Sequence, residues 1–536
     1  MRRSRRALLA LATVIGLLLP GAEAARPQSI TLGVEAPFGI DPHFLFLGPN
    51  MAAARHLYDS LIDRDAESLP TPGIVARWEA VGPTSWLLHL RRGVVFHDGS
   101  PFDAEDVIFS IRRIRTLPNN PGPYTSNLRT IREVAVVDPH TVRIETDRPN
   151  PTLMGQLTNV FIVSSRAAAG DGGPFGATTA DFASGRAAIG TGPFRLERYR
   201  GAEGMTLSRN PSYWGPPPAF ERAELRVITS DAARLAALLS GDVDLIENVP
   251  TADVARLARD GRVAIFARNS DRVMYLIPNV GPDSLPLLTG VQGQPLAVNP
   301  LRDLRVRQAI SLAIDREGLV QRGLDGQGLA IFQYTPPQFG GFDPAIEVPR
   351  ADPAAARRLL AEAGYPEGFG LTIGCSNNRY VNDARICQAI GQMLTRAGFQ
   401  ARVETQPAAV FFPRTQAGRN DLPLMLFGLS GSSSRDSSYF MATAIHTRAP
   451  ALAFGAGNRG GFSNPVLDRA ITEAALLSGP EREAALRAAA RAAIAELPVI
   501  PLYNAHTITA ARRGIHYTPR MDEQLVATHA RPAAGH

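Results

Sequence analysis

The chain has 536 residues and a formal net charge of +6 at pH 7. This length is enough for two or three folded units that each bury a core, and the small net charge argues against a nucleic-acid partner. All 56 basic residues are arginine, since the sequence contains no lysine, and this excludes Schiff-base chemistry and a lysine general base.

The N terminus has the pattern of an export signal. Four arginines precede an apolar run (7–19), and a small-x-small cleavage pattern follows (22–24). We expect residues 1–24 to be removed, and no later segment has the roughly 20 apolar residues that a membrane-spanning helix needs. No cysteine near the cleavage site could carry a lipid anchor, which favours the periplasm. Residues 4–9 also resemble a twin-arginine signal, so both export routes stay open.

The stretch WLLHLRRGVVFHDGSPFDAEDVIFS (86–110) is the most informative part of the chain. Residues 86–90 have the pattern of an apolar strand, Asp98 begins a glycine turn, and Asp103 caps a helix. His97 beside Asp98 raises the alternative of a metal or acid/base site. A single His-Asp pair followed by glycine is more typical of turn chemistry, so we predict a turn.

Strand and helix patterns alternate along the rest of the chain, which predicts a globular α/β protein. A loop rich in glycine and proline (281–300) marks a boundary between lobes. The predicted helices include 231–240, a segment that begins near 306, 352–363 and 480–497, and the predicted strands include 134–137, 142–146, 243–246 and 499–503.

Two cysteines occur, Cys375 and Cys387. Residues 371–375 have the pattern of a strand, and Cys387 lies on the apolar face of a predicted helix. In an exported protein a disulfide between them is chemically permitted, and two buried thiols are the alternative.

Six motifs resemble, in order, the signatures of one protein family. They are the stretch at 86–110, GTGPFRLERY (190–199), RNPSYWGPPPAF (209–220), LRVRQAISLAID (304–315), DPAAARRLLAEAGYPEGF (352–369) and LPVIPLY (497–503). They cover essentially the whole mature chain and resemble the extracytoplasmic solute-binding proteins of family 5, which serve ABC transporters of the peptide, dipeptide and nickel type.

The resemblance implies an α/β, bilobal periplasmic-binding-protein fold of the large peptide-receptor type, with two lobes joined by two hinge strands and an extra small subdomain in the first lobe. The implied ranges are 25–66, 187–278 and 504–536 for the main domain of lobe I, 67–186 for its small subdomain, and 279–503 for the inserted lobe II. Such a receptor captures a solute in the cleft by hinge closure and delivers it to inner-membrane ABC permease subunits. We expect a monomer without a cofactor or metal.

The resemblance also implies which residues contact the solute. Phe46, Leu47 and Gly48 match a segment whose backbone receives an extended ligand by strand addition. The motif NNRYVND (377–383) resembles one found in a subset of these receptors, and its Asp383 is interpreted as a helix cap. The full set of candidates is Phe46, Leu47, Gly48, Tyr124, Arg379, Ser430, Ser432, Ser434, Arg435 and Asp436.

The cleft loop FGLSGSSSRDSSYF (427–440) departs from the family pattern. Peptide receptors carry Trp-x-x-Asp there, and the Asp pairs with the free amino group of the peptide. Leu429 and Ser432 stand at these positions, so the aromatic side chain and the carboxylate are both missing, although Asp436 could substitute after a shift of the loop. Arg435 could pair with a carboxylate or a phosphate. We therefore predict a polar neutral or anionic solute.

Two alternative functions remain open. An exported hydrolase could use the serine-rich loop, although GLSGS (428–432) lacks the final glycine of a GxSxG nucleophile elbow. A nickel-chelate receptor is the second alternative, and His446 near the loop is the one residue that points to it. No GxxxxGK[ST] phosphate loop is present, in agreement with a binding protein whose ATP is hydrolysed by separate subunits.

Overall fold

The computed structural model describes residues 29–533 except 171–175, Ser432, Ala451 and Ala453. The expected export signal lies outside the described residues. Within them, each helix is too short or too polar to cross a membrane. The strands are Ser29–Val34 (β1), Asp63–Arg64 (β2), Pro70–Thr71 (β3), Val75–Ala80 (β4), Ser85–Leu90 (β5), Ile131–Asp138 (β6), Thr141–Thr146 (β7), Phe194–Tyr199 (β8), Gly204–Arg209 (β9), Arg222–Val227 (β10), Leu245–Ile246 (β11), Val263–Pro278 (β12), Leu288–Thr289 (β13), Gly328–Ala330 (β14), Gly370–Ser376 (β15), Gln400–Gln406 (β16), Leu424–Ser430 (β17), Ile500–Arg512 (β18), Ile515–Tyr517 (β19) and Ala530–Pro532 (β20). The helices are Gly48–Leu57 (α1), Ala104–Thr116 (α2), Leu153–Leu157 (α3), Thr179–Ala183 (α4), Asp231–Ser240 (α5), Thr251–Leu257 (α6), Leu304–Ala313 (α7), Arg316–Gly318 (α8), Pro353–Glu362 (α9), Asp383–Arg396 (α10), Ala408–Arg414 (α11), Ser437–Phe440 (α12), Pro465–Leu476 (α13) and Gly479–Glu496 (α14).

A twelve-stranded mixed sheet connects the two halves of the molecule. Its strands run in the order β13, β15, β17, β12, β18, β11, β1, β10, β9 and β8, with β16 beside β15 and β14 beside β18. The long strands β12 and β18 lie at the centre and pair antiparallel from Val263 with Arg512 to Leu276 with Ile500. One end of this pair therefore belongs to a sheet built around β1, and the other end to a sheet built around β15 and β17.

The hydrophobic cores follow the same division. One core gathers buried residues between positions 30 and 225 together with the C-terminal segment 511–530. Two further cores gather buried residues between positions 273 and 503. The separate antiparallel sheet β4, β5, β7, β6 packs within the first core. This arrangement has two lobes and a small additional sheet, while the residue boundaries given above stay a prediction.

The helix predictions agree with the structure, but the last strand is longer than expected. The predicted helix starting after Asp103 is α2, and Asp103 and Asp106 form a capping box at its start. The predicted strand 499–503 continues as β18 to Arg512, because its polar residues pair through the backbone with β12. The predicted strand 243–246 is reduced to Leu245–Ile246.

His97 has a structural role. Its Nε2 contacts the carbonyl oxygen of Gly192 at 3.1 Å, and its Nδ1 accepts a hydrogen bond from the amide of Gly190 at 3.3 Å. Burial lowers the pKa of His97 to about 4, so the ring is neutral near pH 7. Across the described residues, no three His, Cys, Asp or Glu side chains group as a metal site.

Asp59 joins two of the sequence motifs. Its Oδ2 accepts hydrogen bonds from Thr191 Oγ1 and Trp214 Nε1, both at 2.8 Å, and its Oδ1 accepts one from the Tyr213 hydroxyl at 3.3 Å. Thr191 belongs to GTGPF, and Tyr213 and Trp214 belong to NPSYW. One carboxylate thus fixes both motifs beside the end of α1.

The motif glycines are required by close packing. A Cβ atom at Gly190 or at Gly192 would overlap the backbone of Leu57 at the end of α1. Any larger residue would push the 190–194 segment away from Asp59 and break the contacts described above. The two glycines of the GTGPF motif are therefore required by close packing against the end of α1.

The first prediction concerns the pH dependence of stability. Burial raises the pKa of Asp59 to about 7 from 3.8, so the native protein binds this proton more tightly than the unfolded chain does. Its contribution to the free energy of unfolding must then fall as pH rises from about 4 to 7. Between pH 5 and pH 7, the free energy of unfolding measured in urea should fall by about 1–3 kcal/mol more in the wild type than in Asp59→Asn. The control Asp147→Asn, at a side chain that is 48% exposed, should follow the wild type. Parallel curves for the wild type and Asp59→Asn would contradict the prediction.

The two cysteines form a disulfide. Cys375 in β15 and Cys387 in α10 are bonded, with their Cα atoms 6.5 Å apart, and both residues are fully buried. This decides between the two alternatives left open by the sequence. The bond ties the strand to the helix that packs on it.

We expect the unreduced, denatured protein to show no free thiol in a thiol-reagent assay. The bond closes a loop with a sequence separation of 12. The free energy of unfolding should therefore be about 2–3 kcal/mol lower in the double variant Cys375→Ser, Cys387→Ser than in the wild type. Two reactive thiols before reduction would show that the bond is absent in solution.

Candidate functional site

The two lobes touch where the loop after β17 meets α3 and the residues that follow it. Asn159 Nδ2 donates a hydrogen bond to Ser433 Oγ at 3.0 Å. A Cβ atom at Gly155 in α3 would overlap the carbonyl oxygen of Ser433. We call this contact region the seam. It includes Arg64, Gly155, Asn159, Asp271 and the loop residues 430–431 and 433–436.

Asn159 is the centre of a buried hydrogen-bond network in the seam. It is 1% exposed, and its Oδ1 accepts a hydrogen bond from Arg64 Nη2 at 2.9 Å. Its Nδ2 donates to Asn127 Oδ1 at 3.1 Å as well as to Ser433. Arg64 is 2% exposed, and its Nε lies 3.2 Å from Asp522 Oδ2. Among the described residues, Arg64 Nη1 is buried without a hydrogen-bond partner.

Asp271 lies on the other side of the loop, where β12 crosses between the lobes. It is 1% exposed, and its Oδ2 accepts a hydrogen bond from Ser430 Oγ at 2.6 Å. Its Oδ1 is buried and makes no hydrogen bond within the part of the chain that the structure describes. Burial and the neighbouring charge of Glu523 raise the pKa of Asp271 to about 6. The seam thus contains one carboxylate with unused hydrogen-bonding capacity.

Arg435 lies in the loop with a left-handed backbone conformation, at φ 53°. Its guanidinium carbon stands 5.0 Å from the centre of the Phe339 ring, and Nη2 donates to Gln338 O at 3.3 Å. Burial lowers its pKa, and the carboxylates of Asp65 and Glu67 act in the opposite direction. The charges of these two acids of the first lobe therefore act on Arg435.

Asp436, which could substitute for the missing carboxylate only after a shift of the loop, is bound to Arg482 in this structure. Asp436 Oδ2 accepts hydrogen bonds from Arg482 Nε and Nη2 at 2.9 and 2.6 Å. Its Oδ1 caps α12 by accepting from the Ser438 amide at 2.9 Å. Asp436 is 8% exposed, and both oxygens of its carboxylate accept hydrogen bonds from the protein, so its role is structural.

The remaining serines differ in their surroundings. Ser434 Oγ donates to the carbonyl oxygen of Asp436 at 3.0 Å, so it stabilises its own loop. Ser430 donates to Asp271 as described. Ser432 lies outside the described residues.

The first-lobe candidates form a small aromatic contact. The rings of Phe46 and Tyr124 lie 4.9 Å apart, and Tyr124 is fully buried. The amide of Phe46 donates to Gly122 O at 2.6 Å, and the amide of Leu47 donates to Leu45 O at 2.8 Å. Strand addition by these two N–H groups is therefore not supported, since both are already bonded. The Leu47 side chain is 49% exposed and open to contact.

Gly48 and Arg379 are both open to solvent on at least one side. Gly48 begins α1, and a Cβ atom placed there would meet no atom within 4 Å. Arg379 stacks its guanidinium 5.2 Å from the Tyr380 ring. The charge of Arg272 lowers the pKa of Arg379, and partial burial of the side chain lowers it further.

Asp383 organises the loop that carries Arg379. Its Oδ2 accepts hydrogen bonds from the amides of Arg379 and Tyr380 at 3.0 and 3.2 Å and from Ser376 Oγ at 2.7 Å. The expected cap position is displaced by one residue, because Asn382 precedes the helix in a left-handed conformation. The carboxylate therefore closes the loop between β15 and α10.

Sequence reasoning missed four residues of the seam, namely Arg64, Gly155, Asn159 and Asp271. A signal for Asp271 was present, since the polar run 269–272 interrupts the apolar strand β12. Arg64 and Asn159 belong to none of the motifs. Their importance follows from the packing of distant segments, which a single sequence does not reveal.

Comparison with known proteins gives consistent matches. Residues 70–450 match the family model of bacterial extracellular solute-binding proteins, family 5 Middle. The chain is 26% identical over 501 residues to heme-binding protein A of Haemophilus influenzae, with 88% of this chain and 86% of that protein covered.

Two solved structures share the fold. The periplasmic binding protein DppA from Helicobacter pylori, in complex with the peptide STSA, aligns with a TM-score of 0.78 at 20% identity over 95% of this chain and 98% of that one. NikZ from Campylobacter jejuni, in complex with Ni(L-His), aligns with a TM-score of 0.77 at 18% identity over 94% and 99% of the two chains. These alignments confirm the predicted α/β bilobal fold.

The family model spans more than half of the chain, and the relatives are covered along most of their length. The chain therefore belongs to the bacterial extracellular solute-binding proteins of family 5, the receptors that capture solutes for ABC importers.

Proposed function

We propose that this receptor acts as a monomer in the periplasm, after removal of residues 1–24, and closes over a small polar solute at the seam. The observation that carries the proposal is the hydrogen bond between Asn159 and Ser433, which joins side chains of the two lobes within a buried polar network. The closed form would then dock on the inner-membrane permease. The lobe boundaries predicted from the sequence are part of this proposal.

The charges of the seam favour a polar neutral or anionic solute. Arg435 and Arg64 present guanidinium groups, which suit carboxylate or phosphate oxygens. The carboxylate of Asp436 is held by Arg482 and cannot pair with a ligand ammonium without breaking that ion pair. Burying an ammonium group without a paired anion costs several kcal/mol. Asp271 is the carboxylate that would serve a cationic solute, and this is the competing outcome.

A nickel-chelate solute is the second candidate, because the structural neighbour NikZ was solved with Ni(L-His). His446, the residue that pointed to it, gives no support. It is 5% exposed, its Nδ1 lies 2.6 Å from Thr447 O, and its ring packs on Phe454. A nickel chelate would have to be held by other residues.

We also propose that the protein lacks catalytic activity. Its family consists of binding proteins, and Ser430 Oγ donates to the buried Asp271. Hydrolysis of an ester or peptide that Ser430→Ala abolishes would contradict this proposal.

A thermal-shift screen should identify the solute class. Peptides, glutathione-like compounds, oligosaccharides, opines and nickel chelates are the sets to test. A solute at 100 times its Kd should stabilise the native state by about 2.7 kcal/mol. We expect stabilisation by anionic or neutral polar compounds, and a smaller radius of gyration in X-ray scattering upon saturation.

The variant Arg435→Gln should weaken binding of an anionic hit at least tenfold in calorimetry, because it removes the cation at the seam. Arg419→Gln, at an exposed position elsewhere in the second lobe, should bind as the wild type does. Tight binding of ordinary dipeptides that is lost on acetylation of their amino group, and is unaffected by Arg435→Gln, would show that Asp271 receives a cation.

The variant Gly155→Ala should hinder closure, since its methyl group would meet Ser433 O. We expect at least tenfold weaker solute binding and a larger radius of gyration, while the free energy of unfolding changes by about 1 kcal/mol or less because alanine favours a helix. Gly261→Ala, where a Cβ atom meets nothing within 4 Å, is the matched control. Unchanged affinity in Gly155→Ala would show that this contact does not form in the bound state.

A further inference from the structure

A second polar cavity lies in the first lobe, behind the seam. Its volume is about 240 Å³, several times the roughly 30 Å³ that one water molecule occupies in the liquid. Three arginines line it, Arg55, Arg64 and Arg520, and each is at most 9% exposed. The C-terminal segment contributes Thr528 and His529 to the same cavity.

Each carboxylate around the cavity is shared between arginines, exposed to solvent or already hydrogen-bonded to other groups. Asp522 accepts hydrogen bonds from Arg520 Nε and Nη2 at 2.9 and 2.8 Å and also pairs with Arg64 at 3.2 Å. The acid nearest to Arg55 is Asp63, at 3.7 Å, and its side chain is 54% exposed. Three buried guanidinium groups thus share the buried carboxylate of Asp522 and the solvent-screened carboxylate of Asp63, while the oxygens of Asp59 already accept hydrogen bonds from Thr191, Tyr213 and Trp214.

The pKa of Arg55 reflects its burial and the positive charges around it. Burial, followed by the charges of Arg64 and Arg520, lowers the pKa of Arg55 to about 9. His529 brings no charge near pH 7, because burial and the charge of Arg520 lower its pKa to about 4. Asp59 is the remaining acid in the lining, and burial raises its pKa to about 7. It already accepts the three hydrogen bonds described above.

We propose that this cavity binds a small oxyanion, such as phosphate, sulfate or a carboxylate, at a site that shares Arg64 with the seam but is centred on Arg55 and Arg520. An anion between Arg55 and Arg520 would add negative charge beside the three buried guanidinium groups. Arginine groups bind such oxygens through paired, charge-assisted hydrogen bonds. The hydroxyl group of Thr528 in the lining offers a further donor.

The test is calorimetric titration of the mature protein with inorganic phosphate, sulfate or acetate, in chloride buffers of matched ionic strength and without added solute. We expect saturable binding of at least one of these anions, and a higher unfolding temperature than in chloride. Arg55→Gln should weaken that binding at least tenfold, whereas Arg200→Gln, which removes the partner of Glu224 elsewhere in the first lobe, should leave it unchanged.

Two further variants keep the result interpretable if Arg55→Gln fails to fold. Thr528 is exposed at the rim of the cavity, so Thr528→Glu should fold and abolish anion binding by charge repulsion. Arg435→Gln should bind the anion normally, which distinguishes this site from anion binding at Arg435. Anion binding that survives Thr528→Glu, that is lost in Arg435→Gln, or that chloride reproduces at equal concentration would overturn the proposal.

Discussion

The pairing of β12 with β18 is the interaction on which the rest of the structure depends. These strands are the partners through which a sheet centred on β1 and a sheet centred on β15 become one. Their register is interrupted between Asn269 and Val273, where Asn504 Nδ2 donates to the carbonyl oxygens of Ser270 and Arg272 at 2.8 and 2.7 Å. A side chain thus replaces ladder bonds at the point where the chain passes between lobes. The seam residue Asp271 lies inside this interruption, so the crossing and the candidate site share one backbone irregularity.

A chain without lysine uses arginine for its buried cations. Arg113 pairs with Asp41 through two hydrogen bonds of 2.7 Å, and both are almost fully buried. Arg482 holds Asp436 in the same way in the second lobe. The planar guanidinium satisfies a carboxylate and nearby carbonyl oxygens together, which offsets much of the desolvation penalty of a buried charge. Arg113 and Arg482 therefore stabilise the interior of their lobes.

Local patterns predicted several of the longer helices, the turn at Asp98 and the α/β fold class, because caps and apolar spacing act over a few residues. The candidate site was predicted only in part. Ser430 and Ser433 of the candidate loop lie at the seam, whereas both carboxylate oxygens of Asp436 are occupied, one of them by Arg482, which is 46 residues away in sequence. Tyr124 is buried for a similar reason, since its ring packs on Phe46. Such pairings depend on contacts between remote segments, and neither composition nor spacing encodes them in a single sequence.

The disulfide has a consequence for how the second lobe receives its solute. It encloses residues 376–386, the segment that carries Arg379 and Tyr380. A covalent closure of this length, together with the Asp383 contacts, restricts the conformations that the segment samples before a ligand arrives. Ordering a binding loop upon association costs free energy for each immobilised side chain. A segment preorganised in this way has already met that cost during folding, so any contact that the candidate residue Arg379 made with a solute would contribute more fully to affinity.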